Sequence, residues 1–197
     1  MPRARAVVAT RNRHKLRELG EILDSLELVP LPGDVELPPE DGQTFADNAL
    51  AKARAAHDAT GMVAIADDSG IEARALDGAP GVRSARYAGS EASDEENLDL
   101  LLAELAGAAD RSVAYVCVLA YVDESGVEHL FEGRCFGQLA PEPRGSGGFG
   151  YDPAFVPDDT GPGDSRTMAE LGPDEKHAIS HRGRAARQLA HWLEAGS

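Results

Sequence analysis

The stretch AVVATRNRHKLRELGEILDSL, residues 6–26, decides the fold class. Ala6 to Ala9 is a short apolar run of the kind that forms a buried strand. The residues from Thr10 to Asn12 are polar. Beyond them Leu16, Leu19, Ile22, Leu23 and Leu26 recur at helical spacing, which predicts a helix ending near Leu26. A strand, a tight polar loop and a helix, in that order, open an α/β sheet.

The segments that follow extend this pattern. Pro30 to Gly42 is a loop rich in proline and acids. Thr44 with Asp47 three residues on is a capping-box pattern that opens a second helix, and Gly61 closes it. Met62 to Ala66 reads as a second short strand ending in Asp67-Asp68-Ser69-Gly70. Gly78 to Gly89, rich in Gly and Arg, reads as a long functional loop. Ser93 and Glu96 form another capping box, and Asn97 to Leu105 continues as an amphipathic helix up to Gly107. Val113–Val122 and Val127–Leu139 read as a β-hairpin turning through Asp-Glu-Ser-Gly. After a Gly-rich loop from Gly145 to Gly150, the chain finishes in a helix covering at least Arg184 to Glu194. Strands and helices alternate first and a hairpin comes later, so the expectation is an α/β fold with a mixed sheet, in a single domain over residues 1–197.

Composition narrows the function classes. The 197 residues are 42% hydrophobic and 27% charged, and 19 Lys and Arg against 34 Asp and Glu give a net charge of −15. Such a surface repels a polyphosphate backbone, which argues against nucleic acid as a partner, although a small anion can still bind where cations are concentrated. The two cysteines, Cys117 and Cys135, lie in apolar strand-like runs and are expected as reduced core residues. The longest apolar stretch, Val113 to Val122, is half of what a bilayer-spanning helix needs, and the amino terminus lacks the apolar run of a signal peptide, so no membrane partner and a cytoplasmic location are expected.

Four segments carry chemistry. The first is Thr10, Arg11, Asn12, Arg13, His14 and Lys15, a cationic helix start. A helix N-terminus presents free N–H groups that suit phosphate, and Lys15 adds a point charge. A solvated basic helix start is the plainer alternative, and no Walker A loop exists in the chain. The second is Asp67-Asp68-Ser69-Gly70. Adjacent acids at a strand end mark ligand crevices in α/β sheets, and Mg²⁺ takes one or two carboxylates together with waters and substrate phosphates. Glu40, Asp41 or Glu72 could supply a further acid, whereas an Asx turn is the plain reading. The third is Gly147 to Pro153, in which glycines around Phe149 and Tyr151 allow a base to approach and stack, or the aromatics simply plug the core. The fourth combines Lys176 with Ser180, His181 and Arg182, where the Arg fork can read a carbonyl or a phosphate. His177 and His181 have zinc-pair spacing but lack the acid that would accompany it. These parts together suit a nucleotide polyphosphate with Mg²⁺.

Five segments in order, ATRNRHKLREL, EDGQTFADNALAKA, ADDSGIEARALDGAPGVRSARYAG, GGFGYDPAF and MAELGPDEKHAISHRGRA, closely resemble the inosine triphosphate pyrophosphatase family. The resemblance implies a two-lobed α/β fold with a long central mixed sheet flanked by helices, an active site in the cleft between lobes, and a homodimer. It implies Mg²⁺-dependent hydrolysis of ITP, dITP and XTP, noncanonical purine triphosphates, to the nucleoside monophosphate and pyrophosphate. By position, Thr10 to Lys15 and Lys52 would cradle the triphosphate, and Glu40 and Asp68 would hold Mg²⁺. Asp68 would orient or deprotonate the attacking water, and Ser69 would contact substrate. Phe149, Gly150, Tyr151 and Asp152 would stack on and edge-bind the base, with Lys176, His181 and Arg182 reading its oxygen-bearing edge. Two other readings remain: a house-cleaning pyrophosphatase acting on modified pyrimidine triphosphates, and a binding module that turns nothing over.

Overall fold

The computed structural model of the chain describes residues 3–196. Strand β1 (Ala4–Val8) leads through the polar loop into helix α1 (Arg13–Ile22), and β2 (Leu26–Pro30) follows. Helix α2 (Phe45–Thr60), β3 (Val63–Ala73) and α3 (Asp94–Glu104) come next. Strands β4 (Ser112–Val122), β5 (Glu128–Leu139) and β6 (Phe155–Pro157) precede the short α4 (Pro173–Ile179) and the terminal α5 (His181–Ala195). The six strands form one sheet in the order β2-β1-β3-β4-β5-β6. Its β1 pairs are parallel, whereas β5 and β6 are antiparallel, so the sheet is mixed.

Local chemistry explains most boundaries. Thr44 accepts from the Asp47 N–H while the Asp47 carboxylate accepts from the Thr44 N–H, and Gly61 ends the helix at φ +64°. Ser93 and Glu96 cap α3 in the same reciprocal way. Leu26 departs from expectation: α1 stops at Leu23, and Leu26 is the first residue of β2, pairing with Ala4. The leucine spacing imitates one more helical turn, but the edge of β1 claims the segment. Strand β3 also outruns its expected end, continuing through the two acids to Ala73. Its ladder with β1 does stop at Ile65, so Asp67 and Asp68 lie just past the carboxyl end of the parallel pairing.

Two compact units emerge from the packing. The first contains residues 1–68, 117–133 and 181–197. Its core gathers Ala6 and Val8 of β1, Val63 and Ile65 of β3, and Cys117 and Leu119 of β4, against Leu19 and Leu23 of α1 and Ala185 and Leu189 of α5. Gly133 permits this last approach, because a Cβ there would lie 2.1 Å from the His181 carbonyl oxygen. The second unit contains residues 69–116 and 134–180. Its core is built from Ile71, Leu98, Leu101, Val113, Tyr115, Leu139 and Phe155, among others. Cys117 and Cys135 are both buried and free. Among the described residues no helix is long and apolar enough to cross a membrane.

Candidate functional site

The first unit places three cations around two adjacent acids. Successive side chains of a strand point to opposite faces, so Asp67 and Asp68 part company. Asp67 shares the face of Val63 and Ile65 and looks toward α1 and α5. Its side chain is fully buried, 3.0 Å from the Lys15 ammonium and 3.2 Å from the Arg182 guanidinium. Burial alone would raise its pKa, but Lys15, Arg182 and Lys52 outweigh that and hold the carboxyl well below the carboxylate range. Arg182, itself buried, also donates to Glu18 at 2.5 Å. A charge buried this deeply is tolerated only because it is paired and hydrogen-bonded.

Asp68 turns to the other face, toward α2. Asn48 donates to its Oδ2 at 3.0 Å, and Lys52 Nζ lies 3.4 Å from its Oδ1. Lys52 has three N–H donors, and it directs them at the Asp67 carbonyl (2.7 Å), Glu40 Oε1 (2.5 Å) and Asp68 Oδ1. Burial would lower the Lys52 pKa, but the fields of Asp67, Asp68 and Glu40 prevail and raise it. Glu40 is lowered, since Lys52 overcomes the effect of its burial. Asp68 moves the opposite way: burial pushes its carboxyl up, Glu40 adds to that, and Lys52 and Asn48 only partly compensate. Neighbouring acids on one strand thus differ in sign of shift.

The donor chemistry here fits a hard divalent cation. Glu40 and Asp68 each offer a carboxylate oxygen to a single cationic centre, presently the Lys52 ammonium. Mg²⁺ is typically held by one or two carboxylates while keeping several waters, so this pair is a sufficient protein contribution. Among the described residues no group of three or more His, Cys, Asp and Glu side chains is arranged to hold a metal.

The phosphate-cradle candidates divide. Lys15 reaches Asp67, and Asn12 caps α1 by accepting from the His14 and Lys15 N–H groups, while Thr10 accepts from the Asn12 N–H at 3.1 Å. Arg13 and His14 are exposed, with His14 3.1 Å from the Arg17 guanidinium. Arg11 goes elsewhere: its guanidinium donates to the carbonyls of Leu31, Pro32, Gly33 and Val35 at 2.6–3.5 Å, clamping the loop after β2.

In the second unit the Gly-rich loop wraps around Asp152. This buried carboxylate accepts from the Tyr115 hydroxyl (3.1 Å), the Phe149 N–H (2.9 Å) and the Lys176 ammonium (2.9 Å). Gly148, at φ +74°, is required, because a Cβ there would sit 2.1 Å from Asp152 Oδ2. Tyr151 is also turned inward, its hydroxyl donating to the Ser84 carbonyl at 2.7 Å, and the Gly150 N–H donates to Asp94. Phe149 and Lys176 remain half-buried, with the ammonium 5.3 Å from the ring centroid. Ser69 is half-buried at the head of this unit. Within the second unit Lys176 pairs with Asp152, and within the first Arg182 pairs with Asp67. His181 is buried at the start of α5.

Three participants escaped the sequence reading: Asn48, Glu18 and Tyr115. Asn48 lies four residues before Lys52 and Glu18 three after Lys15, so helical spacing placed both on the faces that matter. Tyr115 had no signal beyond its place in an apolar strand.

A mixed α/β sheet with a buried acid–cation centre where the β1–β3 ladder ends defines the class of protein. The Ham1 family profile matches residues 6–192, and the chain belongs to that family. It is 50% identical over 197 residues to a dITP/XTP pyrophosphatase of Mycolicibacterium paratuberculosis, covering 95% of each chain. It is 53% identical over 192 residues to the dITP/XTP pyrophosphatase of Mycobacterium tuberculosis H37Rv, covering 93% of this chain and 92% of that one. A solved HAM1 protein from Coxiella burnetii superposes with a TM-score of 0.88 at 43% identity, covering 98% of this chain and 99% of that one.

Proposed function

We propose that the protein is a nucleoside triphosphate pyrophosphatase that hydrolyses noncanonical purine triphosphates, ITP, dITP and XTP, to the nucleoside monophosphate and pyrophosphate. The observation that carries the reading is the divergence of the two acids. Pairs of titratable groups whose environments push their pKa values apart mark a division of roles. Asp67, held below the carboxylate range by its cations, is the anion that fixes Lys15 and Arg182. Asp68, pushed up by burial, is the better base of the two. Asp68 is the carboxylate that would orient, or take the proton of, the water attacking the α-phosphorus, with pyrophosphate leaving. Little covalent chemistry falls to a protein in such a displacement, so positioning and charge neutralisation are its main tasks. Lys15 and Lys52 supply the positive charge that serves the phosphates.

Glu40 and Asp68 are the residues that would hold Mg²⁺. When bound there, the ion would neutralise developing charge on the phosphate oxygens. For the base, Phe149 offers a stacking face and Lys176 a donor. A donor facing the 6-position pairs with the oxo group of hypoxanthine or xanthine but is mispaired against the amino group of adenine. That mismatch costs about 1–3 kcal/mol, or about 5- to 150-fold. A single catalytic domain over residues 1–197, a homodimeric assembly and a cytoplasmic location complete the reading.

The test is pyrophosphate release from ITP, XTP, dGTP and ATP, with and without Mg²⁺. Mg²⁺-dependent release favouring ITP and XTP is expected. Orthophosphate as product, or equal cleavage of ATP, would require a different assignment of roles. Preference for modified pyrimidine triphosphates would favour the house-cleaning alternative, and ITP binding without turnover the binding module.

A further inference from the structure

We infer that Asn48 is a positioning residue for the hydrolysis, fixing which oxygen of Asp68 faces the centre formed by Lys52 and Glu40 and tying that orientation to the loop that carries Glu40. The inference rests on the pyrophosphatase reading above and adds a residue to it. Asn48 is buried in the first turn of α2, one helical turn before Lys52, so both side chains leave the same face of the helix. Its Nδ2 donates to Asp68 Oδ2 at 3.0 Å, and its Oδ1 accepts from the Gly42 N–H at 2.8 Å. Only one orientation of the amide satisfies both neighbours, because a carboxylate accepts and a backbone N–H donates. The side chain is therefore locked at both ends.

Two consequences follow for the chemistry. With Oδ2 engaged by the amide, Oδ1 is left on the side of Lys52, 3.4 Å from its ammonium and facing the cationic centre that Glu40 shares. A carboxylate that orients a water or holds an ion must present a defined oxygen, and one free to rotate presents either in turn. The second consequence concerns the loop. Gly42 lies two residues after Glu40, and its backbone fits against the amide so closely that a Cβ there would sit 2.6 Å from Asn48 Oδ1. One side chain thus holds the Glu40 loop and the Asp68 carboxylate in a common register.

Kinetics of pyrophosphate release from ITP and thermal unfolding, measured on wild type, Asn48→Asp and Asn48→Ser, test the assignment. Asn48→Asp keeps the volume and the acceptor for Gly42 but removes the donor to Asp68. Asn48→Ser is small and neutral, and guards against the aspartate variant failing to fold. Positioning predicts that kcat falls about 10- to 100-fold, as for other partners that orient a reacting ligand, while KM for ITP stays within about threefold. A purely structural role would lower the melting temperature and leave kcat of the folded fraction untouched. Folded Asn48→Ser protein with wild-type kcat overturns the inference alone. Wild-type protein that releases no pyrophosphate overturns the functional reading and this inference with it.

Discussion

Replacing Asp67 with Asn should destabilise the protein strongly, and the size of the loss follows from what the carboxylate faces. Its partners Lys15 and Arg182 have side chains only 16% and 3% exposed, so neither can recover its lost anion from water. Removing one partner of a buried ion pair costs about 3–5 kcal/mol. Glu18 stays on Arg182 at 2.5 Å, which keeps the expected loss near the lower figure, about 3 kcal/mol. For a chain of this size that is about 6–12 °C in melting temperature, read by circular dichroism at pH 7. The pH dependence provides the sharper check. The folded pKa of Asp67 lies below its ordinary 3.8, so its contribution is fully present above that value and is lost as pH falls toward the folded pKa. The gap between wild type and Asp67→Asn should therefore close by about 1.4 kcal/mol for each pH unit in that window. Asp68→Asn should behave in the opposite sense, with turnover nearly abolished but stability at pH 7 unchanged or raised, since burial already disfavours its charged form. A loss below about 1 kcal/mol for Asp67→Asn, or a gap that does not narrow as pH falls below the ordinary carboxylate pKa, would refute the ion-pair argument.

Three further outcomes are expected. Arg11→Ala removes the donor shared by the carbonyls of Leu31, Pro32, Gly33 and Val35, so amide hydrogen exchange over residues 31–42 should accelerate; unchanged exchange with a raised KM for ITP would make Arg11 a phosphate ligand instead. Gly148→Ala forces a Cβ to 2.1 Å from Asp152 Oδ2 at a positive φ, and should raise KM for ITP more than it lowers kcat in steady-state assays, because Asp152 holds Phe149 and Lys176. Both cysteines should resist a thiol reagent at pH 8 until the protein unfolds: Cys135 is buried, and burial pushes the Cys117 thiol up to about 12, leaving about one thiolate in ten thousand.

Legibility in the sequence tracked the range of the interaction that decides each element. Helix α2 was readable at both ends because Thr44, Asp47 and Gly61 act within one turn of the boundary they set. The same holds for the Ser93–Glu96 cap of α3 and for the turn at Asp123, whose carboxylate accepts from the Ser125 and Val127 N–H groups. Strand β2 was not readable. Leu26 continues the leucine period of α1, and only pairing with β1, more than twenty residues earlier in register, makes it a strand. Asp152 stands out in the sequence by its place in GGFGYDPAF, but its hydrogen-bond partners do not. Its three donors come from Phe149 nearby, Lys176 on α4 and Tyr115 on β4, and the last is 37 residues away.

The acid pair shows why roles are harder to read than places. Two adjacent carboxylates in an apolar strand announce a site, and the period of the strand requires them to face opposite ways. Nothing local says which face is the reactive one. That depends on what each face meets, and the Arg that neutralises Asp67 arrives from 115 residues further along the chain, steadied by Glu18 at a separation of 164. With two cations on its side and full burial, Asp67 holds its charge to lower pH than an ordinary carboxylate. Asp68 meets one amide, one shared ammonium and a second carboxylate, and keeps a lone pair in play. The difference between the two acids is thus a property of the packed helices α1, α2 and α5, which supply their partners.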